Sequence, residues 1–160
     1  MGYKQQSLII SADNRANKSN TDWSNFTIRL ESPIENVVRI DLRCVSLNLF
    51  SGAFPTFTDS SDRVLTCPWL GIQSAQLGDK ITCANNIALF DIVPITSFHG
   101  VQFYERTESK GQSNEFLYSK PTNLYQIDIK MVNKDGSKPG NIDATDSIDI
   151  FLQVITEEAD

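Results

Sequence analysis

Over its strongest stretches the chain alternates apolar and polar residues with a period of two, and no run longer than about ten residues carries a helical period. Phe26-Thr27-Ile28-Arg29-Leu30 is one such stretch. Tyr125, Ile127, Ile129 and Met131 alternate against Gln126, Asp128 and Lys130, and Ile148, Ile150, Leu152 and Val154 follow the same rule. Successive side chains on a strand point to opposite faces, so each stretch offers one face to a core and one to solvent. The pattern therefore predicts sheets joined by irregular loops, and excludes a helical bundle.

Breakers and phase changes divide the pattern. Pro33 predicts the end of the first clear strand, because proline has no N–H to give to a ladder. Val38, Ile40, Leu42 and Cys44 then share one phase, after which Val45, Leu47 and Leu49 take over. That slip predicts a bulge near Cys44 or a strand buried on both faces there. Ser51-Gly52, Pro55 and Asp59-Ser60-Ser61-Asp62 read as a long loop over 51–62.

Short strands are expected at 63–66, 69–72 and 80–83, and a longer one at 87–93, stopped by Pro94. Runs 100–104 and 115–118 flank a polar loop over 105–114, and Asn133-Lys134-Asp135-Gly136 reads as a turn. About eight to ten strands result, the number a two-sheet jelly roll needs. The expected fold is all-β: a single jelly-roll β-sandwich of about eight strands in two antiparallel sheets. One domain is expected over residues 1–160, with 1–22 an amino-terminal arm whose polar run, Asp13 to Asp22, a partner would order.

Composition narrows the function. A net charge of -6 works against nucleic acid and anionic lipid. The three cysteines, Cys44, Cys67 and Cys83, have no CxxC spacing, which argues against a zinc site or a disulfide framework and for synthesis in a reducing compartment. The polar start and the short apolar run Leu8-Ile9-Ile10 predict neither a signal peptide nor a spanning helix, so the two Asn-x-Ser/Thr acceptor patterns carry no meaning.

Chemistry is sparse. His99 is the only histidine, and a triad would have to use it. Asp143, Asp146 and Asp149 lack the glycine and terminal glutamate of a calcium loop and read as a charged loop edge. No phosphate-cradling glycine motif occurs. No catalytic residue, metal or cofactor is therefore expected, and the chain does not read as an enzyme.

Two clusters remain as interface candidates. Asp13, Asn14 and Arg15 either clamp their own turn or contact another subunit. Phe54 and Phe57, with Phe50 nearby, either close one end of the barrel or face a partner.

The order of features resembles a known family, the small jelly-roll minor capsid proteins that form pentons in virophages, polinton-like elements and related large DNA viruses. The amino-terminal part of the likeness is a short apolar strand, Ser11-Ala12-Asp13-Asn14-Arg15, a polar spacer, Asn25-Phe26-Thr27-Ile28-Arg29-Leu30 and Val37-Val38-Arg39-Ile40-Asp41-Leu42. The carboxy-terminal part is Ile92-Val93-Pro94-Ile95, Gly100, Tyr104, and a hairpin from Leu124-Tyr125-Gln126-Ile127-Asp128-Ile129 through Asp135-Gly136 into Asp149-Ile150-Phe151-Leu152-Gln153-Val154. Residues 51–86 depart from it.

The resemblance implies a structural virion protein: a homopentamer at the fivefold vertices of an icosahedral capsid, beside the major capsid protein and other shell proteins. It implies synthesis in the host cytosol, with no nucleic-acid partner and no direct membrane insertion. The competing classes are another minor capsid or cement protein and a ligand-binding, lectin-like β-sandwich in which Trp23, Trp69 or Tyr104 stacks on a sugar.

Overall fold

A computed structural model describes residues 2–17, 19, 22–49, 55–95, 100–105, 120–141 and 146–158, with the backbone alone for 100–105. Among the described residues every regular element is a strand except one 3-10 turn, Ala12–Asn14. The strands are β1 (Gly2–Ser11), β2 (Asn25–Leu49), β3 (Thr56–Thr58), β4 (Val64–Thr66), β5 (Trp69–Gln73), β6 (Ile81–Thr82), β7 (Ala88–Leu89), β8 (Asp91–Pro94), β9 (Gly100–Glu105), β10 (Thr122–Val132) and β11 (Ser147–Glu158). The protein is all-β, built on a curled antiparallel sheet.

The pairings turn on β2, which is 25 residues long. Its first part lies against β10, from Asn25 opposite Lys130 to Val37 opposite Thr122. Its second part lies between β11 and β9, with Val45 opposite both Ile150 and Tyr104. Two four-stranded runs share this strand: β1–β11–β2–β9 through its second part, and β2–β10–β5–β8 through its first. Every pairing is antiparallel. Ile10, Leu47, Ile150 and Val154 from one run and Phe26, Ile72, Val93 and Ile129 from the other join one apolar cluster, so the sheet curls its two runs over a common core.

The expected strand end at Pro33 is overturned, because β2 continues through it. Register explains the tolerance: Arg29 faces Gln126 and Ile34 faces Leu124, so residues 30–33 stand against Tyr125 alone. In that irregular stretch no ladder bond is asked of the proline. The bend continues at Asn36, whose φ of 56° is left-handed and whose N–H donates to Asn123 Oδ1 at 2.9 Å. Asparagine accepts such a φ at lower cost than most residues.

The phase slip near Cys44 is a bulge. Cys44 faces Phe151 and Leu42 faces Leu152, leaving Arg43 as the extra residue. A second slip leaves Val38 extra between Val37 and Arg39. The buried set is therefore Val37, Ile40, Leu42, Val45, Leu47 and Leu49, while Val38 and Cys44 are only half-buried.

Elsewhere the outcome is mixed. The segment read as a loop over 51–62 contains β3, which pairs β4 in a hairpin turned by Asp59, whose carboxylate accepts from the N–H groups of Ser61 and Arg63. The strand read over 87–93 is divided: β7 pairs β6, β8 pairs β5, and between them Phe90 gives its N–H to the Ile72 carbonyl at 2.7 Å. Asp135-Gly136 does not join β10 and β11 into a hairpin, since those strands do not pair with each other and β2 lies between them. Residues 2–11 of the segment read as an arm form the edge strand β1, in unbroken register with β11 from Gly2–Glu158 to Ser11–Asp149. The expected strand at 115–118 lies outside the described residues.

Candidate functional site, a cationic cleft beside the first turn

The chain leaves β1 through a turn that its own side chains hold. Ser11 Oγ accepts the Asp13 N–H at 3.3 Å, and Arg15 Nη1 donates to the Ala12 carbonyl at 2.6 Å. The local clamp weighed from the sequence is thus present, and Arg15 is its anchor. One residue later Ala16 N–H donates to the Thr27 carbonyl at 2.7 Å, which ties the segment after the turn to the start of β2.

That tie creates a cleft of about 510 Å³ whose walls include Arg15, Asn17, Asp22, Asn25, Arg29 and Gln126. Alternation places Asn25, Thr27 and Arg29 on one face of β2, and the ladder sets Arg29 directly opposite Gln126. Arg29 is exposed and has no ion-pair partner among the described residues. Arg15 Nε is shielded from solvent and has no acceptor among the described residues, although Nη1 of the same guanidinium is bonded.

Asp22 is the one carboxylate among the described residues of the wall, and it is neutralised from outside. Lys138 Nζ stands 2.8 Å from Oδ2, while Oδ1 accepts from the Ser24 N–H at 2.9 Å and from its hydroxyl at 2.6 Å. Burial pushes this carboxyl up, but the bonds from Lys138 and Ser24 outweigh it and hold the group below the usual carboxylate range. The cleft is consequently cationic on a chain of net charge -6.

The other sequence candidates scatter. Asp13 and Asn14 are exposed on the turn, and neither is in the cleft wall. Phe57 is only 8% exposed, with Lys134 Nζ 5.0 Å from its ring centre, so it packs into the core; Phe54 and Phe50 lie outside the described residues. Trp23 is wholly buried and presents no face to a sugar; Trp69 is half-buried in β5. The Tyr104 side chain, Asp143 and His99 lie outside the described residues. Asp146 is buried, and Asp149 sits in β11 between Ser46 and Ser11.

Arg29, Asn25 and Gln126 escaped the sequence reading as site residues. Their signal was the polar half of two alternating strands, which becomes a site only once β2 and β10 pair and the turn folds over them. Among the described residues no group of three or more His, Cys, Asp or Glu could hold a metal ion, and no helix is long and apolar enough to cross a membrane. No family model matches this chain, and no curated protein matches it.

Proposed function

We propose that this chain is a jelly-roll shell protein, a penton subunit whose homopentamer closes the fivefold vertices of an icosahedral capsid. The strand order carries the reading. With β2 counted once on each side of its bend, the runs β1–β11–β2–β9 and β2–β10–β5–β8 comprise eight strands in two groups of four. In a jelly roll two such groups face each other across a core, and the fold serves viral shell domains as well as lectins and cupins. In this reading the bend at Pro33 and Asn36 is the corner at which one strand passes from the first sheet to the second.

Because one fold hosts many functions, the surface has to discriminate. A lectin-like role loses its best stacking residue with the burial of Trp23, and Phe26, the only aromatic among the described residues of the cleft wall, is buried as well. Of the large exposed apolar residues described, Val64 lies on β4 and Tyr125 on β10, whereas Tyr3 and Ile9 share β1, at the outer edge of a run, at 64% and 60% exposure. Among the described strands β1 pairs only β11, and an edge strand carrying exposed apolar side chains suits burial against a neighbouring subunit, while a heterologous contact repeated around an axis closes a ring. The net charge of -6 is consistent with a place in the shell away from the genome.

Sedimentation of the purified chain with negative-stain imaging tests the reading. Rings of fivefold symmetry are the expected result. A monomer at every concentration, together with saturable binding on a glycan array, would overturn it in favour of the lectin-like class.

A further inference from the structure

We propose that β1 is a self-pairing edge, covered in the free chain by β1 of a second copy that runs antiparallel to it and sets Tyr3 against the partner's Ile9. The contact goes beyond the vertex reading. It has twofold symmetry and closes at two copies, so it does not build a ring; it covers β1 until a shell neighbour takes the edge.

β1 lacks the devices that keep sheet edges from pairing. It is 10 residues long, holds an unbroken register with β11, contains no proline and carries a single charge, Lys4. Among the described strands it pairs only β11, so the backbone groups on its other side have no ladder partner there and suit an added strand. The edges of the other run are blunted. β8 is 4 residues long and ends at Pro94, and the first part of β2 holds Pro33 and is tied at the Thr27 carbonyl by the Ala16 N–H.

The side chains select both the occupant and the register. Tyr3, Gln5, Ser7 and Ile9 form one exposed face of β1, while on the other Ile10 is buried and Leu8 half-buried. A strand that keeps these faces aligned pairs odd positions with odd and even with even. With Gln6 opposite the partner's Gln6, Tyr3 meets the partner's Ile9, Gln5 the partner's Ser7 and Lys4 the partner's Leu8. The twofold axis makes the Tyr3–Ile9 contact twice, an aromatic directly opposite a β-branched side chain, and covers both exposed apolar residues of the strand. Lys4 lays its stem on an apolar residue instead of meeting its own twin. The neighbouring registers that keep the faces aligned set Tyr3 against the partner's Ser7 or Ser11 and lose both contacts.

Sedimentation equilibrium of the full chain and its variants tests the pairing. The unaltered chain should form a reversible dimer below the concentration at which rings appear. Ile9→Glu should weaken that dimer by about tenfold or more, because each copy loses its apolar contact and gains a charge at the edge. Ile9 is exposed, so the variant keeps its fold, which a cooperative melt verifies. Tyr3→Lys combined with Ile9→Glu sets opposite charges face to face and should regain part of the loss. Under mild oxidation Gln6→Cys should give a disulfide-linked dimer, whereas the unaltered chain and Lys4→Cys, whose twin lies out of reach, should not. Absence of the dimer, an unchanged dimer in Ile9→Glu, or no cross-link in Gln6→Cys would overturn the proposal. A chain that cross-links through position 6 yet never forms rings upholds the pairing and tells against the vertex reading, and rings without that cross-link do the reverse.

Discussion

Thr27 and Asp128 stand directly opposite each other on β2 and β10, and the Thr27 hydroxyl donates to Asp128 Oδ1 at 2.5 Å. Gln76 completes the carboxylate from the far side. Its Nε2 donates to Asp128 Oδ2 at 2.8 Å, and its Oε1 accepts the Asp128 N–H at 2.9 Å. One acidic side chain thus joins β2, β10 and the turn after β5.

The hydrogen bonds from Thr27 and then Gln76 hold the Asp128 carboxyl below its ordinary value. A depressed folded pKa stabilises above the unfolded value of about 4, and that contribution disappears as pH falls through the folded pKa. Thr27→Val should therefore raise the Asp128 pKa and cost about 1 kcal/mol at neutral pH, with a smaller penalty in acid. Carboxyl NMR titration and urea melts at two pH values check both. A melt difference independent of pH would assign the effect to packing.

Gly136 has a φ of 84°, and the turn closes through Gly136 N–H on the Asn133 carbonyl at 2.9 Å. A Cβ there would sit 3.1 Å from Ile87 Cδ1. Gly136→Val should lower the stability by about 1 kcal/mol or more, read as a lower urea midpoint, since a β-branched residue resists positive φ and also meets Ile87. The loss arises in the local turn, so amide exchange should quicken around Asn133 before it does in β11.

Cys67 is buried and gives its thiol to Asn133 Oδ1 at 3.0 Å. Burial, with a smaller push from Asp135, raises its pKa to about 11. Thiolate is the reactive form, so iodoacetamide at pH 8 should leave Cys67 unmodified in the folded protein and label it after unfolding. Peptide mass mapping reads the difference, and rapid native labelling would contradict the buried bond.

Lys80 reaches from the 78–80 segment to β2, where Nζ donates to the Ile40 carbonyl and stands 3.2 Å from Asp41 Oδ1. Its ammonium also lies 5.1 Å from the centre of the Phe90 ring. Lys80→Met keeps much of the stem's packing but leaves the carbonyl without its ammonium donor, at a cost of about 1–3 kcal/mol. Asp41 retains Arg39 at 2.8 Å, so the additional loss in Lys80→Met/Asp41→Asn should be less than the sum of the single losses.

Removal of residues 1–11 strips β11 of its partner over the register Gly2–Glu158 to Ser11–Asp149 and takes the fully buried Ile10 from the core. The truncated chain should lose its cooperative melt or aggregate through the bared edge. A fold as stable as the intact chain's would show that β1 adds little to the core.

The period of two is a local property, and it marked β10, β11 and both halves of β2 because each face of a strand is written in its own residues. The slip at Cys44 was equally legible, since a bulge moves the apolar phase along the chain itself. Pro33 misled because a proline is excluded only where a ladder asks for its N–H, and whether one does depends on a partner about ninety residues away. β1 was underread for a similar reason: Tyr3 to Ser7 is mostly polar, and its strand is imposed by pairing with β11. The cleft was beyond the sequence altogether. Arg15 and Arg29 are fourteen positions apart and on different elements, and only the Ala16–Thr27 bond and the β2–β10 ladder bring their surroundings together. Local alternation decided what each residue could face, and long-range pairing decided what it met.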